Sequence, residues 1–222
     1  MLNWIEAFFY IVEIVGTVAF AASAAMIAID RELDMFGVLF LGICAATGGG
    51  MMRDLFLGIT PPGAFRDPTY VAVGAATALI VFLFAWRNKR LYRREYALLD
   101  RVVNLLDAIG LGMFGCVGVE AAMARGHAGN VFLCVFMGMT TGVGGGILRD
   151  LLSMAVPAVL KKRIYAVAVI LGCLVYYGLR RTPLPLPWAM MAGMQVTLVI
   201  RLCAAYFRWD LPIVHMRDEE GK

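Results

Sequence analysis

The residues best equipped for chemistry in this chain are two Arg-Asp pairs, Arg53-Asp54 and Arg149-Asp150. Each follows a run of three glycines, Gly48-Gly49-Gly50 and Gly144-Gly145-Gly146, and the two blocks stand 96 residues apart in long apolar stretches. Ionised side chains are expensive in hydrocarbon and mark substrate or ion paths where they occur there. Glycine is a poor helix former, and without a Cβ it leaves helical geometry cheaply. The combination predicts two helices broken at membrane depth, with freed backbone groups lining a polar path. A half-helix ending at such a break offers partial negative charge, and one beginning there offers partial positive charge. The chemistry implied is passage of a small solute. The competing reading of the triplets is close helix packing through small residues.

Further polar residues lie at similar depth. Glu13 and Asp107 occupy matching positions, and with Asp54 and Asp150 they make a surplus of carboxylates over Arg53 and Arg149. An interior of that sign favours cations; the alternative is that Glu13 or Asp107 is protonated or hydrogen-bonded and purely structural. Adjacent helical residues point about 100° apart, so the two charges of one block are not expected to face each other. A crossed arrangement follows, Arg53 with Asp150 and Arg149 with Asp54. Thr47, Thr140 and Thr141, just before the triplets, can supply neutral oxygens or satisfy freed backbone groups. Pro61, Pro62 and Pro157 follow as supports of the expected breaks. Glu120 and Arg201, nearer span ends, are expected to snorkel.

These residues need helices to carry them. The chain has 222 residues, 61% of them hydrophobic, and a mean hydropathy of +0.78. Spans of about 20 apolar residues match a hydrocarbon core, and seven are expected, roughly at 5–29, 35–59, 69–86, 98–123, 130–155, 163–179 and 188–207. The run Pro183-Leu184-Pro185-Leu186-Pro187 is expected to be extended. The fold class is therefore all-α, a polytopic single membrane domain over residues 1–222.

The duplication extends beyond the glycines. Gly42 matches Gly138 and Pro61 matches Pro157 at the same offset, while Gly16 matches Gly110 and Phe20 matches Phe114 at an offset of 94. This divides the chain into repeat 1 at 5–86 (spans one to three), repeat 2 at 98–180 (spans four to six), and 183–222 holding an extra seventh span and a cytoplasmic tail. Three spans per unit invert the second unit relative to the first, a pattern of transport proteins. Lys and Arg cluster in the loop from Arg87 to Arg94, at Lys161-Lys162-Arg163, at Arg31 and in the tail (Arg208, Arg217, Lys222). That bias places the amino terminus outside and the carboxyl terminus in the cytoplasm of a prokaryotic plasma membrane. Without a cationic amino-terminal region, no cleaved signal peptide is expected.

No catalytic triad, metal-ligand spacing or phosphate loop is visible, so neither an enzyme nor a cofactor is expected. The five cysteines read as small buried hydrophobes, and a net charge of +4 is no argument for a nucleic-acid partner.

The duplicated GGG-x-x-R-D-L block, with a following proline and acidic residues in the first and fourth spans, resembles the bacterial branch of the trimeric intracellular cation channels. That family is also described as a group of possible glycine transporters. The resemblance covers roughly residues 5–180. It implies seven transmembrane helices in an inverted three-plus-three arrangement plus one. It also implies a homotrimer in the lipid bilayer, each protomer with a pore kinked around the second and fifth helices and passing K⁺ and Na⁺. The matching positions are Gly48, Gly49, Gly50, Arg53, Asp54, Gly144, Gly145, Gly146, Arg149 and Asp150. No Lys stands beside the second-span triplet, unlike the animal members, so their lipid and Ca²⁺ regulation is not carried over. The expected function is a monovalent cation channel; the alternative is a secondary transporter for glycine or another small zwitterion.

Overall fold

The computed structural model describes residues 4–89, 96–161, 164–207 and 209. The basic residues Arg90, Arg93, Arg94, Lys162, Arg163, Arg208, Arg217 and Lys222, with the tail beyond residue 209, lie outside the described residues, and with them much of the expected charge asymmetry. The described chain is all-helical: α1 (Trp4–Asp30), α2 (Met35–Phe56), a short α3 (Gly63–Arg66), α4 (Thr69–Arg87), α5 (Tyr96–Ala122) extended by a π-turn (Met123–His127), α6 (Val131–Leu152), a short α7 (Ala158–Lys161), α8 (Ala166–Leu179) and α9 (Leu186–Tyr206).

Among the described residues, six helices are long and apolar enough to cross a membrane: α1, α2, α4, α5, α6 and α9. The expected span at 163–179 is a 14-residue helix, α8. At 1.5 Å per residue it reaches about 21 Å, short of a core of roughly 30 Å. The proline run also differs from expectation. Pro185 precedes α9 and Pro187 lies in its first turn, where the missing N–H removes no helical bond.

Side chains set the starts of α2 and α6 in the same way. Asp34 accepts a hydrogen bond from the Gly37 amide at 2.7 Å and Asn130 from the Leu133 amide at 3.0 Å, satisfying orphan donors of each first turn. Both helices then run unbroken through their glycine triplets. The expected helix breaks are therefore wrong, and close packing is the reason for every triplet glycine except Gly50. A Cβ on Gly49 would lie 2.1 Å from the Thr141 carbonyl oxygen, and one on Gly145 would lie 2.1 Å from that of Ala45. A Cβ on Gly144 would meet the Gly49 Cα at 3.1 Å. α2 and α6 thus cross backbone to backbone, with Cα–H groups aimed at carbonyl oxygens. Pro61, Pro62 and Pro157 consequently support no break; they belong to the turns after α2 and α6. Those turns pass through left-handed residues at Gly58 (φ +67°) and Met154 (φ +56°).

α1 and α5 cross beside this pair. Phe20 and Phe114 stack with ring centroids 5.5 Å apart. Each ring also lies on the other helix's glycine, Phe114 at 3.2 Å from a Cβ on Gly16 and Phe20 at 3.0 Å from one on Gly110. Equivalent residues of the two halves therefore touch one another at the centre. The buried core extends from here through Leu111, Val119, Met137 and Val143 to Val169, Tyr176 and Met190 of α8 and α9.

Alanine at Gly49 or Gly145 must push the two backbones apart. Each variant is expected to lose at least about 1–3 kcal/mol, the usual range for overpacking, or to fail to assemble. Alanine at Gly129, where nothing lies within 4 Å of the added carbon, should melt like wild type in detergent.

Candidate functional site

Each Arg-Asp pair closes on itself, against the geometric expectation. Arg53 donates from Nε to Asp54 Oδ1 at 2.9 Å, with Nη2 at 2.7 Å from the same oxygen. Arg149 donates from Nε to Asp150 Oδ1 at 2.8 Å. The long arginine side chain curls over the following residue, so the 100° between Cβ directions does not hold the charges apart. The crossed pairs Arg53–Asp150 and Arg149–Asp54 are not formed. The free oxygen of each aspartate reaches past the helix end. Asp54 Oδ2 accepts from the Gly63 amide at 2.7 Å, and Asp150 Oδ2 from the Ala158 amide at 2.7 Å. Each carboxylate thus ties its long helix to the first residue of the short helix beyond, next to Pro62 or Pro157.

Two cavities flank the α2–α6 crossing. One, of about 70 Å³, is lined by Glu13, Thr17, Thr47, Gly50, Arg53, Asp54, Gly63 and Tyr70, with Phe114 among its walls. The other, of about 260 Å³, is lined by Asp30, Arg31, Asp100, Asn104, Asp107, Arg149 and Asp150 among others. Glu13 and Asp30 belong to one helix, α1, 17 residues apart, or about 26 Å along its axis. The Glu13 cavity and the Asp107 cavity therefore lie toward opposite ends of the bundle.

The two ends are built alike but filled unequally. In the Asp107 cavity the Arg149 side chain, 4% exposed, makes three attachments. Besides Asp150 it donates from Nη1 to Asp107 Oδ1 at 2.6 Å and to Ser23 Oγ at 2.9 Å, joining α6 to α5 and α1. Tyr165 donates to Asp107 Oδ1 at 3.1 Å, and its hydroxyl sits 2.6 Å from a Cβ on Gly146, which explains that glycine. In the Glu13 cavity Tyr70 donates to Glu13 Oε2 at 2.5 Å. Arg53, 16% exposed, holds Asp54, and a Cβ on Gly50 would meet nothing nearer than Arg53 Nη2 at 3.9 Å. The slot Tyr165 fills at one end belongs to the cavity at the other, where Gly50 is part of the lining and Arg53 Nη2 is in ordinary contact.

Of the other expected site residues, Gly48, Gly49, Gly144 and Gly145 belong to the helix contact, Gly48 against Leu148. The Thr47 and Thr141 hydroxyls donate to the carbonyls of Ile43 (2.9 Å) and Met137 (2.6 Å) one turn back, and Thr140 is buried. Glu120 does not snorkel but accepts from Tyr176 at 2.6 Å and from Arg180 at 3.0 Å. Arg201 is likewise not at the interface. It is 4% exposed, with its guanidinium 4.7 Å above the Tyr165 ring and Nη2 3.8 Å from Asp107 Oδ2. Sequence reasoning missed Tyr70, Tyr165 and Ser23. The tyrosines repeat at an offset of 95, as do Pro62 and Pro157, so following the repeat across its one-residue slip would have found them. Ser23 has no such signal, since its counterpart at an offset of 94 is Val117.

A helical membrane protein with paired charged sites on a glycine-packed crossing is the class these features define. The sequence profile of the family described as Glycine transporter matches residues 10–86 and 104–181, once in each half. The chain belongs to this family. It is 39% identical over 214 residues to the UPF0126 inner membrane protein YadS of Escherichia coli K12, covering 96% of this chain and 99% of YadS. Among solved structures, a TRIC cation channel superposes with a TM-score of 0.80 at 33% identity, over 94% of this chain and 98% of that one. The TRIC trimeric intracellular cation channel orthologue of Rhodobacter sphaeroides gives 0.81 at 31%, over 90% and 98%. The expected family resemblance therefore holds, and the chain has the TRIC fold.

Removing one partner of a buried ion pair strands the other. Arg149→Gln is expected to cost about 3–5 kcal/mol and Arg53→Gln clearly less, by thermal melts in detergent. A double-mutant cycle should find coupling between Arg149 and Asp107 and none between Arg53 and Asp150.

Proposed function

We propose that this protein is a channel for monovalent cations, K⁺ and Na⁺, working as a homotrimer with one conduction path in each protomer. The observation that carries the reading is the pair of charged cavities facing opposite ends of one helix crossing, in a chain that shares its fold and about a third of its residues with TRIC cation channels. The path runs beside α2 and α6, through the Glu13 cavity and the Asp107 cavity. Phe20, Phe114 and the glycine contact close it between them in this conformation. The triplet carbonyls remain within intact helices, so they are not the ligands of a dehydrated ion. That role falls to Glu13, Asp54 and the hydroxyls of Thr17, Thr47 and Tyr70, which line the narrower cavity. Two carboxylates against one guanidinium favour cations there. The halves form an inverted three-plus-three repeat, with α8 as the short sixth member and α9 as the additional helix. The protein is multi-pass in a prokaryotic plasma membrane, amino terminus outside.

Planar bilayers under a K⁺ gradient test this. Purified protein should give unitary currents reversing near the K⁺ potential. Glu13→Gln should move the reversal potential toward zero, and Gly50→Ala should lower unitary conductance while the protein melts like wild type. Electrical silence with saturable counterflow of labelled glycine in liposomes would instead establish the transporter alternative.

A further inference from the structure

Asp107 is held unevenly. Its Oδ1 accepts from Arg149 at 2.6 Å and from Tyr165 at 3.1 Å, while the Arg201 Nη2 stands 3.8 Å from Oδ2. Arg201 is equally under-used, since its buried Nε has no hydrogen-bond partner among the described residues. A guanidinium short of acceptors faces the carboxylate oxygen that Arg149 and Tyr165 leave unused, and Tyr165 steers both, its ring beneath Arg201 and its hydroxyl on Asp107.

We propose that Arg201 is the reserve partner of Asp107, a positioning residue that takes the carboxylate when Arg149 releases it and so sets how often the Asp107 cavity unlocks. The Arg149–Asp107 bond joins α5 to α6, and through Ser23 to α1, on the wall of that cavity. Movement of α6 away from α5 there must break it. An uncompensated buried carboxylate would oppose the movement strongly. Arg201 needs to advance only about 1 Å to form a charge-assisted bond of roughly 2.8 Å. Arg149 is not stranded either, because its Nε keeps Asp150. Every charge is paired before and after the exchange. The Glu13 end has no such exchange among its described contacts, as Glu13 is held by Tyr70 and Arg53 by its neighbour Asp54. The exchange therefore assigns a gating role to α9, the helix outside the repeat.

The inference rests on the channel reading, and single-channel recording tests it. Arg201→Gln should lower open probability at least about tenfold, the effect of losing one bond to a charged group, with unitary conductance unchanged. Arg201→Lys should restore part of it. In an Asp107→Asn background Arg201→Gln should have no further effect. A purely packing role predicts instead a loss of melting temperature with wild-type open probability, or the same reduction with and without Asp107; either overturns the proposal. The thiol-labelling rate of a cysteine placed at Val103, on the cavity wall, reads the same equilibrium without current and should fall in Arg201→Gln. If wild type carries no current, the channel reading fails and labelling alone decides the exchange; an unchanged rate would sink it.

Discussion

Contact of two helix backbones with nothing between them governs this molecule. At Gly49 and Gly145 α2 and α6 approach so closely that neither position has room for a methyl group. Water-excluded apolar surface cannot drive association in lipid, so dispersion and Cα–H contacts at such crossings carry much of the packing. Once α2 and α6 are clamped there, their carboxyl-terminal ends diverge to opposite ends of the bundle. Asp54 and Asp150 then project into separate cavities, each pinned by its own arginine and by the amide of the following short helix.

Around that clamp the halves differ in how their charge is used. The Asp107 end is a closed network in which Arg149, Asp150, Asp107, Tyr165, Ser23 and Arg201 draw on α1, α5, α6, α9 and the segment leading into α8. The Glu13 end uses fewer contacts and leaves Arg53 partly exposed. Buried ionic networks add little net stability for their desolvation, but they define discrete arrangements. A network with two arginines competing for one aspartate suits a switching element, whereas a lone Tyr–Glu bond suits a fixed wall.

Much of the fold was legible because membrane thickness imposes length and hydropathy directly on each span, and the duplicated block marked the centre of the structure. Its meaning was not. A triple glycine is equally suited to ending a helix and to admitting a neighbour, and only the position of Thr141 and Ala45 opposite decides between them. The pairing of each arginine with the next aspartate was missed because Cβ directions were used in place of the reach of a flexible side chain. Tyr70 and Tyr165 were hidden by a single-residue slip in the repeat, and Arg201 by lying outside it. α8 was overread because its apolar run continues a turn that the chain spends on Ile164 and Tyr165.

The placement of Arg201 has an electrical consequence for a conducting chain. Its charge offsets an acidic surplus at the Asp107 network, while the Glu13, Asp54 and Arg53 set keeps one net negative charge. The Asp107 cavity is also lined by Asp30, Asp100 and Arg31, so with Arg201 counted each mouth keeps one net negative charge and offers a cation a concentrating field of the same sign. Without the Arg201 charge the Asp107 mouth would be the more negative of the two, and current through such a path would rectify in dilute salt. That asymmetry would fade as ionic strength rises and the screening length falls below the width of the mouth.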